Sequence, residues 1–195
     1  MENHKEEVPF AHYRALFSAA DAQEIGARTG LAFENGGFCL KLLGTDYFLS
    51  HPDYSADEKL PLPLQTFLLR YLLEGKPTPA TQDFLTFREM PWGELYIQPF
   101  TGRVLTRAAF TFGTRLEKFR AAAERLGGLP LNRGDAGFEF DFLGNYRLRL
   151  LVWEGDDEFP PNAQLLYSAN FADGFAAEDR VVAGDLLINA LKAKL

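Results

Sequence analysis

The chain has 195 residues, 47% of them hydrophobic and 24% charged, with a formal net charge of −7. Length and composition predict one soluble globular domain with room for a full core, and the acidic balance excludes a nucleic-acid backbone as main partner, since phosphate binding needs a basic face. Cys39 is the only cysteine, which excludes an internal disulfide framework and any zinc or iron–sulfur site built from several thiolates of this chain.

No apolar stretch follows a positive start at Met1-Glu-Asn-His4, so no signal peptide is read there, and residues 1–8 are expected to be disordered. No window approaches the roughly 20 apolar residues of a membrane span. Together with the lone cysteine this predicts a cytoplasmic protein.

From Pro9 to Thr29 the spacing of Tyr13, Leu16, Phe17 and Ala20 predicts one or two helices. Asp21 and Glu24 are placed to cap the second, and Gly30 to stop it. The period then changes. Leu31–Glu34, the turn at Asn35-Gly36-Gly37, and Phe38–Leu43 read as a hairpin, and after a turn at Gly44-Thr45 a third strand runs from Asp46 to Ser50. His51 to Pro61 reads as a loop. Pro63–Glu74 is a helix apolar on nearly every side and therefore buried, ended by Gly75 and Pro77. Phe84–Phe87 and Glu94–Ile97, parted by Pro91-Trp92-Gly93, read as a pair of strands.

Thr114-Arg-Leu-Glu117 fits a capping box opening a helix whose buried stripe is Leu116, Phe119, Ala123 and Leu126, with Gly127-Gly128 as its stop. Phe138, Phe140 and Phe142 then alternate with acids, and Tyr146, Leu148 and Leu150 with arginines. A three-residue loop, Leu143-Gly144-Asn145, sets Phe142, Phe140 and Phe138 against Tyr146, Leu148 and Leu150. It also sets Asp141 and Glu139 against Arg147 and Arg149, with Asn145 taking the left-handed position. Past Leu150 the polar face vanishes, so the strand is expected to be covered on both sides. Ala163–Tyr167 returns as a strand, and Phe171–Leu195 is mostly helix, packing through Val182, Leu186 and Ala190. These elements predict one α+β domain over residues 1–195, an antiparallel, aromatic-rich sheet covered by helices.

Motifs of the common active sites are absent: no phosphate-binding P-loop, no Gly-x-Ser-x-Gly elbow, no His-Glu-x-x-His and no dinucleotide-binding glycines. No cofactor is expected. Cys39, flanked by Phe38 and Leu40, reads as a buried core thiol. Of the three histidines, His12 reads as exposed or satisfied on a helix, and His51 follows a strand end without a partner at metal spacing.

Charge is concentrated instead. From Trp153 to Asp185 the acids Glu154, Asp156, Asp157, Glu158, Asp173, Glu178, Asp179 and Asp185 face the single base Arg180. The loop Trp153-Glu154-Gly155-Asp156-Asp157-Glu158-Phe159 thus carries the candidate ligand-binding residues Trp153, Glu154, Asp156, Asp157, Glu158 and Phe159. One reading is a solvated loop pinned by two aromatic core anchors. The other is a site for a hard cation or an amine, because clustered carboxylates repel one another unless something positive joins them. The alternate-residue ligands of an EF-hand are missing.

The stretch Gly134–Leu166, above all Trp153-Glu-Gly-Asp-Asp-Glu-Phe-Pro160, together with Leu68–Leu73 and Phe87 before Pro91-Trp-Gly93, resembles the bacterial and archaeal domain-of-unknown-function family 3786. The resemblance brings no established activity. It implies a strand ending Leu-Phe-Asp where this chain has Leu166-Tyr167-Ser168, which removes an acid from any metal site. It also implies a place beside anaerobic iron–sulfur or corrinoid redox proteins, with the cluster held by another chain. Two functions follow as expectations: a non-catalytic accessory module binding a small molecule or a protein near residues 153–159, or a metal-assisted enzyme using Glu154, Asp156, Asp157 and Glu158.

Overall fold

The computed structural model describes residues 4–56 and 60–195, so part of the expected loop 51–61 and the first residues of the expected disordered start lie outside the described residues. The fold class is α+β, and the strand pairings described below are antiparallel. The residues group into two compact units, 1–77 and 78–195. Among the described residues no helix is long and apolar enough to cross a membrane.

In the first unit α1 (His4–Ala19) begins at His4, ahead of the Pro9 expected to open it, and is followed by α2 (Ala22–Thr29). Asp21 Oδ1 accepts from the backbone N–H groups of Gln23 at 2.7 Å and Glu24 at 3.1 Å, satisfying donors that the first turn leaves orphaned. Gly30, at φ 74°, closes α2 by donating its N–H to Gly26 O. The meander β1 (Phe33–Glu34), β2 (Gly37–Leu42) and β3 (Thr45–Ser50) follows. Asn35 and Gly36 form the first turn at φ 53° and 76°, the left-handed pair that a two-residue hairpin loop requires. The second turn is Leu43-Gly44, one residue earlier than expected. The buried helix appears as α3 (Leu62–Glu74), which packs on α1.

Two expectations resolve structurally in this unit. Cys39 is exposed rather than buried. Strand alternation explains the correction: Phe38, Leu40 and Leu42 turn to the core, so Cys39 and Lys41 turn away from it. His51 is a capping residue. Its Nε2 lies 3.1 Å from Phe17 O and 3.0 Å from Ala20 O, and because both neighbours are acceptors, Nε2 carries the proton and donates to the end of α1.

The second unit is built on five strands in the order β5 (Leu129–Leu131), β6 (Ala136–Leu143), β7 (Tyr146–Trp153), β8 (Asn162–Ser168) and β4 (Phe84–Thr86). The predicted register holds from Phe138↔Leu150 through Glu139↔Arg149 and Phe140↔Leu148 to Asp141↔Arg147. It then slips: a bulge between Asp141 and Leu143 pairs Leu143, not Phe142, with Tyr146. The slip lets Phe142, Leu143 and Tyr146 all be buried, with Phe142 against Phe171 and Phe175. The left-handed residue of the turn is Gly144, not Asn145; glycine pays no Cβ penalty there, and Asn145 Nδ2 instead donates to Thr78 O at 2.9 Å.

The two faces of this sheet differ. Phe138, Phe140, Leu148, Leu150, Leu165 and Tyr167 line a dry face. The other face carries Glu139, which receives Arg147 Nη1 at 2.7 Å and Arg149 Nε at 2.6 Å, with the Arg149 guanidinium 3.6 Å from the Phe84 ring centroid. The arginines therefore converge on Glu139, and Asp141, predicted to share them, is exposed.

Glu94–Ile97 is a helix, not a strand. It belongs to α4 (Gly93–Phe100), which continues through a widened π-helical stretch (Thr101–Thr106) into α5 (Arg107–Phe112). Burial of Gly93, Phe100, Val104 and Ala108 on one side fixes the helical period. Next comes α6 (Leu116–Arg125), with the predicted stripe of Leu116, Phe119 and Ala123, but without the capping box: Arg115 is the N-cap and no side chain bonds there. Its C-terminus matches the prediction, Gly128 N–H reaching back to Ala123 O at 2.8 Å. The chain ends in α7 (Phe171–Gly174) and α8 (Ala177–Lys192). In α8 the buried face is Val181, Gly184, Leu187, Ile188 and Leu191, so Val182, Leu186 and Ala190 sit beside it at half-burial.

Candidate functional site

Strand β7 does what the loss of its polar face predicts: Leu151 and Val152 are both buried, and Trp153 forms the last rung with Asn162. The chain then leaves the sheet. Gly155 N–H donates to Gly113 O at the end of α5, and a Cβ on Gly155 would collide with Pro161, so this glycine is set by close approach of the double proline. Asp156 closes the loop on itself. Its N–H donates to Phe159 O at 2.9 Å, while its Oδ1 accepts from Phe159 N at 2.7 Å and from Glu158 N at 2.8 Å.

The candidate residues are therefore not brought together. Trp153 is half-buried, while Glu154, Asp156, Asp157 and Glu158 are exposed. Phe159 is 68% exposed and is not the core anchor expected of it. Among the described residues no group of three or more His, Cys, Asp or Glu side chains is placed to hold a metal ion. The acids farther along serve the fold separately: Asp185 is held by Arg103 and by Arg107 at 2.9 Å, and Asp179 is buried in the first turn of α8.

The backbone N–H groups of Phe159 and then Glu158 hold the Asp156 carboxyl below the ordinary carboxylate range. A group depressed in the folded state supports the loop above its unfolded pKa and loses that support as pH falls through its folded pKa. An NMR titration should accordingly place the Asp156 midpoint below the usual value of about 3.9. Hydrogen exchange at Glu158 and Phe159 should quicken in Asp156→Ala. A midpoint at or above the usual value removes the turn from the account.

Glu154 lies beside a depression. Its backbone N–H donates to Asp135 Oδ2 at 2.8 Å, and it lines a groove of about 700 Å³ with Arg115, Leu116, Glu117, Lys118, Arg120 and Asp135. Arg120 is engaged, donating to Asp135 O and lying 3.5 Å from Glu117 Oε1. The side chains of Arg115, Lys118 and Glu154 have no hydrogen-bond or ion-pair partner among the described residues. Of the three cations and three carboxylates on this concave surface, two cations and one carboxylate are thus without such a partner among the described residues, all within a single unit. Sequence reading missed this, because Arg115 and Lys118 pattern as the solvated face of α6. The only signal was the sequence position of Arg115, directly before a helix start.

No curated protein and no solved structure matches the chain. Residues 21–190 match the family described as Domain of unknown function (DUF3786), a span that includes parts of both units, the Pro91-Trp92-Gly93 turn, the groove and the acidic loop. The chain belongs to that family.

Proposed function

We propose that the chain is a non-catalytic binding module, an accessory domain taking a small metabolite that carries both an anionic group and an ammonium group. The supporting observation is the groove in which Arg115 and Lys118 stand without partners beside an equally unpartnered Glu154. A carboxylate or phosphate takes the two cations, and Glu154 receives the ammonium; charge-assisted contacts of this kind contribute about 1.5–3 kcal/mol each. A metal-assisted reaction has less support, since Asp156 already spends its carboxylate on backbone N–H groups. The proposal extends to a companion role beside an iron–sulfur redox protein, whose cluster ligands the other chain must supply.

Phosphoserine, which has both groups, is a direct probe. Titrated into the protein, it should shift the backbone resonances of residues 115–120 and 154, and Arg115→Ala or Lys118→Ala should weaken binding roughly 10- to 100-fold. Absence of shifts in that segment at millimolar phosphoserine and at millimolar free amino acids rejects the groove as the site.

A further inference from the structure

The helix turn at the start of α4 presents an apolar surface. Trp92 is 70% and Leu95 71% exposed, and Tyr96 and Pro99 beside them are exposed as well. Spacings of three and four residues place them on one helical face. Large apolar side chains clustered in this way mark interaction surfaces, and Trp and Tyr dominate the energetics of such surfaces.

The turn that displays them is fixed from behind. Trp92 is left-handed at φ 62°, a conformation uncommon for a side chain of its size. Gly93 lies against the Phe87 carbonyl, and Phe87 stacks on Phe100 at 4.2 Å with the rings 8° from parallel. Arg180, 1% exposed, donates to Pro91 O and lies over the Phe87 ring. Thr86 and Glu89 close the preceding turn, Glu89 Oε2 accepting from Thr86 N and Thr86 Oγ1 at 2.7 Å each. Strain and burial thus fix the backbone from which the exposed indole projects, and a fixed backbone lowers the ordering cost of an anchor residue.

We propose that this face docks a second copy of the chain in a two-fold dimer. A two-fold contact sets a surface against itself, so its rim must be complementary to itself. Next to Leu95 the rim carries a cation and an anion, Arg88 and Glu94, both exposed and 3.0 Å apart. Across a two-fold axis each Arg88 meets the other copy's Glu94, exchanging the internal pair for two equivalent ones. The chain's acid excess lies in another stretch, residues 153–185, and leaves this rim balanced. With three large side chains at its centre the contact is a small one, so association is measured up to several hundred micromolar.

Sedimentation of the whole chain over a concentration series tests this. The dimer is expected, and Leu95→Glu should abolish it while leaving the melting temperature within a few degrees. The charge pair provides a test independent of Leu95. Arg88→Glu alone and Glu94→Arg alone place like charges across the axis and weaken the dimer at least several-fold. Mixed in equal amounts, the two variants restore opposite charges on both sides and form a mixed dimer. A monomeric wild-type chain at several hundred micromolar overturns the proposal. So does a mixture no tighter than the single variants, or capture of the face by neutral lipid vesicles without self-association.

Discussion

Replacing Glu139 by alanine lowers stability by about 3–5 kcal/mol, because it strands two cations that the sheet holds largely out of water. The Glu139 side chain is 10% exposed and takes both arginines, Arg147 at 2.7 Å and Arg149 at 2.6 Å, one on each carboxylate oxygen. Neither arginine has another acid in reach among the ion pairs described; Arg147 keeps only a donation to Thr81 O, and both keep the Phe84 ring. The desolvation already imposed on the guanidinium groups is then uncompensated. At about 2–4 °C per kcal/mol for a chain of this length, the melting temperature falls by roughly 6–20 °C. The exposed pair Arg88–Glu94 is the control: at 3.0 Å it is still a direct ion pair, yet Glu94→Ala should cost less than about 1 kcal/mol, since water screens it. Added salt should narrow the small effect and leave the large one. Equal losses for the two substitutions in urea denaturation contradict the argument.

The hairpin that supplies Glu139 was the most legible part of the chain. Alternation of phenylalanines with acids, and of Tyr146, Leu148 and Leu150 with arginines, leaves one register that buries one face, and the ladder obeys it up to Asp141. What failed was the last rung, where a bulge lets consecutive residues Phe142 and Leu143 both reach the core, a choice made by Phe171 and Phe175 far along the chain. Glu94–Ile97 failed for a related reason. A short apolar run beside Pro99 and Gly102 has no decisive period of its own, and only Gly93, Phe100, Val104 and Ala108 together, read across both breakers, show the helical one. Arg180 counted in the sequence as the one base in an acidic stretch; its burial depends on the carbonyl of Pro91, which no local pattern announces. Composition located the acidic loop but not its chemistry. Asp156 followed by Glu158-Phe159-Pro160 is a sequence able to form the observed side-chain-to-backbone turn, and that turn takes the carboxylate away from any ligand. The apolar face at Trp92 was divided by the same misreading, Trp92 falling in a spacer and Leu95 and Tyr96 in a strand, and only the helix puts the three side by side.

Two glycines on the helix that carries Trp92 should respond to alanine with opposite signs. At Gly93 a Cβ would fall inside contact distance of Phe87 O and lie 3.0 Å from Arg88 Cα, both backbone atoms. Neither can retreat cheaply. Phe87 is stacked on Phe100 and is 1% exposed, and the Pro91 carbonyl is held by the buried Arg180. Forcing a methyl into that contact moves core aromatic rings, so Gly93→Ala costs about 3 kcal/mol or more. At Gly102 nothing lies within 4 Å of the added carbon and the backbone is helical. There alanine removes freedom from the unfolded chain at no cost in the folded one, and Gly102→Ala stabilises by roughly 0.5–1 kcal/mol. Thermal and urea denaturation of the two variants measure the difference directly. A loss below about 1 kcal/mol at Gly93 would show that the turn gives way freely, and a turn that yields cannot hold Trp92 in a left-handed conformation as a fixed anchor.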